Sequence, residues 1–253
     1  SLNKFLNVKD PRAVIYEELS HMRGNSKKEN YMKALMTLIF TLLIATLTFA
    51  QKNIFISKTV FIKDTILNNS CMPFITHVGK PNSFANALAL NVKYEPVKDI
   101  RPIIEKVIGR KLIFFKGWNP KGEAHVTTIT PPEYKFVLCK YITIERINEI
   151  AEEMVIQSAD LKILGIGSGQ KVIGNKKEET FFLIVESNKL RNIRLQIYKE
   201  FVGAGGDPKS FDPAWFFPHI TIGFTKRDLH ESDNVMKNVK HSLDKRFKVK
   251  IVK

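Results

Sequence analysis

The sequence predicts a mixed fold in which strands and helices alternate along the chain, and three observations carry that prediction. Short β-branched runs recur between amphipathic segments with helical spacing. Glycine and proline fall at many of the junctions. A chain of 253 residues, 44% hydrophobic and 26% charged, has an ordinary globular composition and the length to bury one good core or two small lobes.

The N-terminal part reads differently from the rest. Residues 1–31 are polar, and then Met32-Lys33 opens an almost unbroken apolar stretch, Ala34 to Ala50, closing on Thr48-Phe49-Ala50-Gln51. A short basic start, an apolar middle and a small-residue end are the three parts of a secretory signal peptide, with cleavage expected after Ala50. On that reading residues 1–31 are an upstream extension outside the mature protein, Met32 is the start, and the protein is secreted. The same run would also serve as an uncleaved membrane anchor or as a buried core helix.

Residues 51–84 form a lead-in that carries Cys71 and the sequon Asn68-Asn69-Ser70, which has meaning only in a eukaryotic secretory context. Cys71 and Cys139 are the two cysteines of the chain, and a count of two leaves pairing and free thiols equally open. From Ala85 the pattern becomes regular. Ala87 to Tyr94 reads as a strand, Val97 to Ile108 as an amphipathic helix stopped by Gly109, and Lys111 to Phe115 as a short strand before a loop through Gly117 and Gly122. His125 to Thr130 is strand-like, and Pro131-Pro132 ends it and starts a helical turn through Leu138. Ile144, Ile147, Ile150 and Ala151 mark one face of a helix over Thr143 to Met154.

The second half repeats the alternation. Leu161 to Ile166 and Thr180 to Glu186 read as strands joined by a long turn through Gly165, Gly167, Gly169 and Gly174, and Leu190 to Val202 as a helix stopped at Gly203 to Gly206. His219 to Phe224 is a strand, Ser232 to Ser242 a surface helix and Phe247 to Val252 the last strand.

Two of these strands hold the chemistry. His125-Val126-Thr127 and His219-Ile220-Thr221 are both His-x-Thr with an apolar middle residue, and two of the chain's six histidines fall in them. In a strand, residues i and i+2 share a face, so each tripeptide presents an imidazole beside a hydroxyl. One imidazole can take a proton from water while the other gives one to a leaving oxygen. The hydroxyls can donate to the oxygens of a phosphate. A lone His-x-Thr is equally at home as a half-buried, hydrogen-bonded strand residue; its doubling is what points to a site.

The flanking text carries a resemblance. Gly122-Glu123-Ala124 before the first motif, Thr130-Pro131-Pro132-Glu133-Tyr134 after it, Phe211-Asp212-Pro213, Phe217-Pro218 and Thr225-Lys226-Arg227-Asp228 around the second are similar to the "Swiss army knife" RNA-repair-like branch of the 2H phosphoesterase superfamily, known largely from fungi. The resemblance covers Ala85 to Val252 and places the domain at residues 85–253. It implies an α+β, bilobal fold with pseudo-twofold symmetry and a central groove between two mainly antiparallel sheets. It also implies a cyclic phosphodiesterase that hydrolyses 2′,3′-cyclic phosphates or related phosphodiesters without a metal or other cofactor. On that reading His125 and His219 are the acid and base, and Thr127 and Thr221 hold the phosphate.

The remaining features are consistent with this. A net charge of +15 favours anionic partners such as RNA ends or cyclic nucleotides, although evenly solvated lysines would give the same count. Tyr134 and Lys226, each beside a motif, are the expected substrate contacts. Trp118, Trp215, Phe216 and Phe217 could stack a base but fit a core as well. Gly165-Ile166-Gly167-Ser168-Gly169 reads as turn glycines, and His77, His230 and His241 as surface or core residues without metal-ligand spacing. No Walker, zinc-finger or Gly-x-Ser-x-Gly pattern occurs. A module on the same fold that binds phosphorylated ligands without hydrolysis is the alternative to the enzyme.

Overall fold

In a computed structural model the described residues are 30, 32–41, 57–81, 83–116 and 121–253. The chain divides into two units, Ser1–Phe55 and Ile56–Lys253. In the first, residues 32–41 are helical, and the hydroxyls of Thr37 and Thr41 donate to the carbonyls four residues back, at 2.8 and 2.7 Å, which keeps threonine compatible with a helix interior. Among the described residues no helix is long and apolar enough to cross a membrane. The expected extension (but for Asn30) and the expected cleavage point after Ala50 lie outside the described residues.

The second unit runs β1 (Lys58–Lys63), β2 (Leu88–Val92), α1 (Tyr94–Ile108), β3 (Ala124–Ile129), α2 (Pro131–Phe136), α3 (Ile144–Glu153), β4 (Lys162–Ile173), β5 (Lys176–Glu186), α4 (Asn188–Gly203), β6 (His219–Phe224), α5 (Val239–Ser242) and β7 (Phe247–Val252). Five strands form an antiparallel sheet in the order β2-β3-β6-β5-β4. β1 and β7 form a separate parallel pair. The lead-in is therefore part of the fold from its first strand onward, because β1 needs β7 as its partner.

The α+β class is as expected, and its pseudo-symmetry is visible in the topology. β2-α1-β3 and β5-α4-β6 are each a strand, a helix and an antiparallel return strand, and they meet where β3 pairs with β6. In one detail the structure differs from two sheets flanking a groove: both motif strands are neighbours in one sheet. One face of it carries the main core, where Val126, Ile220 and Leu183 pack with Ile100 and Ile104 of α1, Ile147 and Ile150 of α3, and Ile193 and Ile197 of α4. The opposite face carries a smaller cluster of Phe182, Ile184, Leu229 and Val235.

Local signals account for most boundaries. Thr143 and Ser187 cap α3 and α4 by accepting from backbone N–H groups three residues on, and Gly109 ends α1 in the left-handed region at φ 68°. Three expectations fail. Lys111 to Phe115 is not a strand; Ile113 alone bridges to Phe224. Gly165, Gly167 and Gly169 are not a turn but the interior of β4, which pairs with β5 as one long hairpin closed by Gly174-Asn175. They are glycines because other side chains cover the strand there: an added Cβ would meet Leu243 at Gly165, Phe182 at Gly167 and Val235 at Gly169. Ser232 to Ser242 is not one helix either, since Asn234 takes a left-handed conformation at φ 63° and only Val239–Ser242 is α-helical.

Phe182 is fully buried, so its ring has nowhere to go when Gly167 gains a methyl group. Gly167→Ala should therefore cost about 1–3 kcal/mol, the usual scale of overpacking. A lowered urea midpoint would show it, and an unchanged one would mean that the ring is free to move.

Candidate active site

The site begins with one backbone pairing. Val126 of β3 lies opposite Ile220 of β6, antiparallel, and both are fully buried on the core face. Counting one residue either way, His125 stands opposite Thr221 and Thr127 opposite His219, all four on the other face. There they line a cavity of about 700 Å³.

Two buried arginines hold this seam from opposite sides. Arg101 on α1 donates Nε to the carbonyl of Ile222 at 3.0 Å, and Arg194 on α4 donates Nη1 to the carbonyl of Thr128 at 2.8 Å. Each helix thus reaches the other half's motif strand, at the carbonyl three residues beyond its histidine. Arg194 also pairs with Glu133 at 2.9 Å and donates to the carbonyls of Asp212, Pro213 and Trp215. Glu133 closes the capping box of α2 with Thr130. The Thr-Pro-Pro-Glu string is therefore a helix start whose glutamate is also an arginine anchor.

The two histidines have opposite electrostatic surroundings. His219 Nδ1 lies 2.8 Å from the carbonyl of Phe217, an acceptor only, so Nδ1 carries the hydrogen and Nε2 the lone pair. Nε2 in turn lies 3.1 Å from Lys237 Nζ. Burial first, and then the Lys237 ammonium, push His219 down to about 3. His125 is also lowered, by burial first, but its nearest charge is the Glu123 carboxylate, 3.6 Å from Nδ1, which works the other way. The His125 ring stacks on Phe115 at 5.9 Å and lies 6.1 Å from the His77 ring.

Beside His219 lies a buried ion pair. Lys237 Nζ donates to both oxygens of Asp228 at 3.0 and 2.9 Å, and Asp228 also accepts from the Thr180 and Thr221 hydroxyls and from the backbone N–H of Leu229. Burial, the largest single effect, raises the Asp228 carboxyl, yet the charges of Lys237 and His230 and the hydrogen bonds from Lys237 and Thr180 together hold the group below its ordinary value. Burial lowers Lys237, and Asp228 opposes that. The two threonines differ accordingly. Thr221 gives its hydrogen to Asp228 at 3.3 Å, a long bond that is easily exchanged, whereas no hydrogen bond ties up the Thr127 side chain among the described residues.

Of the expected site residues the structure brings together His125, Thr127, His219 and Thr221. It does not bring Tyr134 or Lys226. Tyr134 is buried in the main core, because it lies on the inward face of α2, and the Lys226 side chain is exposed near Glu178, past the end of β6. Trp215, Phe216 and Phe217 do line the cavity; Trp118 lies outside the described residues. His230, an exposed side chain, lines the cavity as well, and His77 packs against His125. Lys237 and Asp228 went unassigned in the sequence, where the second showed only as part of a flanking string. Cys71 and Cys139 are both free thiols. Among the described residues no three His, Cys, Asp or Glu side chains group as metal ligands.

A sheet that sets one His-x-Thr against another across a pseudo-twofold seam defines a two-histidine phosphoesterase type of site. Comparison with family models agrees: residues 88–230, more than half of the chain, match the model described as "Swiss Army Knife, 2H phosphoesterase domain". The chain belongs to that family and is a phosphoesterase. No curated protein and no solved structure gave a match.

The depressed histidine makes stability depend on pH. The unfolded chain takes up a proton on this residue near 6.5 and the folded protein only near about 3, so stability falls as pH drops through that window. Urea midpoints measured across it should decline in the wild type and less steeply in His219→Gln. Equal slopes in the two proteins would mean that His219 is protonated in the fold.

Proposed function

We propose that this phosphoesterase hydrolyses 2′,3′-cyclic phosphates or related phosphodiesters, on RNA ends or nucleotides, by acid–base exchange between His125 and His219. The observation that carries the reading is the β3–β6 register, which sets each imidazole opposite the other motif's threonine on one wall of one cavity. A phosphate seated between them meets a hydroxyl and an imidazole from each half. One histidine takes a proton from water as the new P–O bond forms; the other protonates the ribose oxygen as the old P–O bond breaks. Thr127 and Thr221 donate to the non-bridging oxygens, the latter after releasing Asp228.

The surroundings support such a substrate. Phe115, Trp215 and Phe217 give the cavity apolar walls against which a base can stack, and the net charge of +15 draws anions towards the protein. The signal-like segment at 32–50 supports export of this chemistry from the cytosol, and a native chain beginning at Gln51 would bear that out.

The test is a panel of 2′,3′-cyclic nucleotides and cyclic-phosphate-ended RNAs followed by phosphorus NMR, which reads activity and the position of the product phosphate together. Turnover should persist in excess chelator. His125→Ala and His219→Ala should each lose about 10²–10⁴-fold, the usual worth of a positioned acid or base, while Lys226→Ala stays close to wild type. Full turnover in either histidine variant overturns the mechanism. Saturable binding with no product from any substrate would make the protein a phosphate-binding module instead.

A further inference from the structure

The acid–base reading leaves open which histidine is which, and a side chain outside both motifs bears on that choice. Lys237 is 4% exposed, and its ammonium sits between the Asp228 carboxylate, at 3.0 and 2.9 Å, and His219 Nε2, at 3.1 Å. An ammonium has three N–H groups. Two go to the carboxylate and the third lies on the His219 lone pair, which the Phe217 carbonyl has already fixed at Nε2.

Two consequences follow from charge alone. An imidazolium at His219 would set its Nε2 hydrogen against an ammonium at hydrogen-bond distance, so His219 is a poor resting proton donor. As a neutral base it is well placed but covered. Among the described residues no ammonium lies at hydrogen-bond distance from His125; burial lowers it, and its nearest charge, Glu123, favours the protonated ring.

We propose that Lys237 is the positioning residue that assigns the roles, keeping His219 neutral as the base and uncovering its lone pair only when a phosphoester arrives to take the third N–H of Lys237 on a non-bridging oxygen. This rests on the acid–base reading above and deepens it. In the step that follows, water gives its proton to His219 Nε2 and its oxygen to phosphorus. The P–O bond to the leaving ribose oxygen breaks, and that oxygen takes the proton of His125. Lys237 keeps its own proton throughout. Asp228, held by Thr180 and the Leu229 N–H, returns the ammonium to its place once product leaves.

The charged and titratable groups around His219 are Lys237, Asp228 and His125. Behind them are Glu123 and His77 next to His125, and His230 near Asp228. The β5 side contributes only the Phe182 ring, 5.7 Å away. Among the described residues Lys237 is the one cation in direct contact, so its removal should dominate the response.

The experiment is a ring-nitrogen NMR titration of His219 in the full chain, with Lys237→Met, Lys237→Arg and the charge-balanced double variant Asp228→Asn/Lys237→Met. Loss of the ammonium should raise the His219 midpoint by about one unit or more, the scale of a contacting charge, and Lys237→Arg should keep it low. If the single methionine variant does not fold, the double variant gives a shift in the same direction, smaller because Asp228, which raises His219, is lost with Lys237. In turnover, the acidic limb of kcat/KM should move to higher pH in the methionine variants and stay in place in the arginine one. An unmoved His219 midpoint in folded methionine variants overturns the proposal even where cyclic phosphates are hydrolysed. A raised midpoint with no turnover of any panel substrate, in wild type or variants, would uphold Lys237 as the group that sets His219 and reject the cyclic-phosphate reading.

Discussion

The site depends on a single point of contact between two halves of the sheet. β3 and β6 pair through Val126 and Ile220, and the alternation of a strand does the rest: with those two side chains in the core, the histidines and threonines on either side must face the cavity. A slip of one residue would send His125 or His219 into the core. So short a pairing is weak by itself, which explains why two buried arginines brace it. Arg101 and Arg194 each cross from one half's helix to the other half's motif strand. Neither can let go without giving up a buried carbonyl's hydrogen bond to a charged donor, a loss larger than the net worth of an ordinary hydrogen bond.

The backbone is nearly twofold but the electrostatics are not, and acid–base chemistry needs that difference. Two imidazoles in identical surroundings would have no preference for which of them carries a proton. Here Glu123 faces one ring and Lys237 the other, so the fold supplies matched positions and the neighbours supply unequal charge. The first half contributes its difference from the residue two before its histidine. The second draws its own from the segment after β6, whose left-handed Asn234 interrupts any helix and lets Val235 and Lys237 turn inward.

That contrast also explains what could be read from the sequence. Periodicity located β3 and α3 to within a residue and β6 and β7 to the residue; the first three bury a face against the main core, whereas β7 buries only Phe247 and leaves Ile251 exposed. The glycines of β4 misled because glycine marks both a turn and a strand that something else covers, and only the position of Phe182, Val235 and Leu243 separates the two. Tyr134 and Lys226 were judged by nearness in sequence, yet a helix turns one neighbour of the motif into the core and a strand end leaves the other in solvent. Lys237 lies 18 residues beyond His219 in an irregular segment, where no period indicates direction; its partner Asp228 could be seen, but not what it would meet.

The buried pair itself argues for a functional reading. Removing a carboxylate and an ammonium from water is costly, and replacing such a pair by apolar groups is often neutral or stabilising, so stability alone does not account for Lys237 and Asp228 lying against the apolar Phe182 cluster. What the pair does provide is a charge arrangement fixed before any substrate enters. Asp228 accepts from Thr180, Leu229 and Lys237, which leaves it little freedom to reorient. Fixed dipoles and charges of this kind act without reorganising during reaction, the condition under which electrostatics contribute most to lowering a barrier. The cavity lining also includes the aromatic rings of Phe115, Trp215, Phe216 and Phe217. On the proposed function, the phosphate would meet this fixed set of charges, and the aromatic rings of the lining would meet what it is attached to.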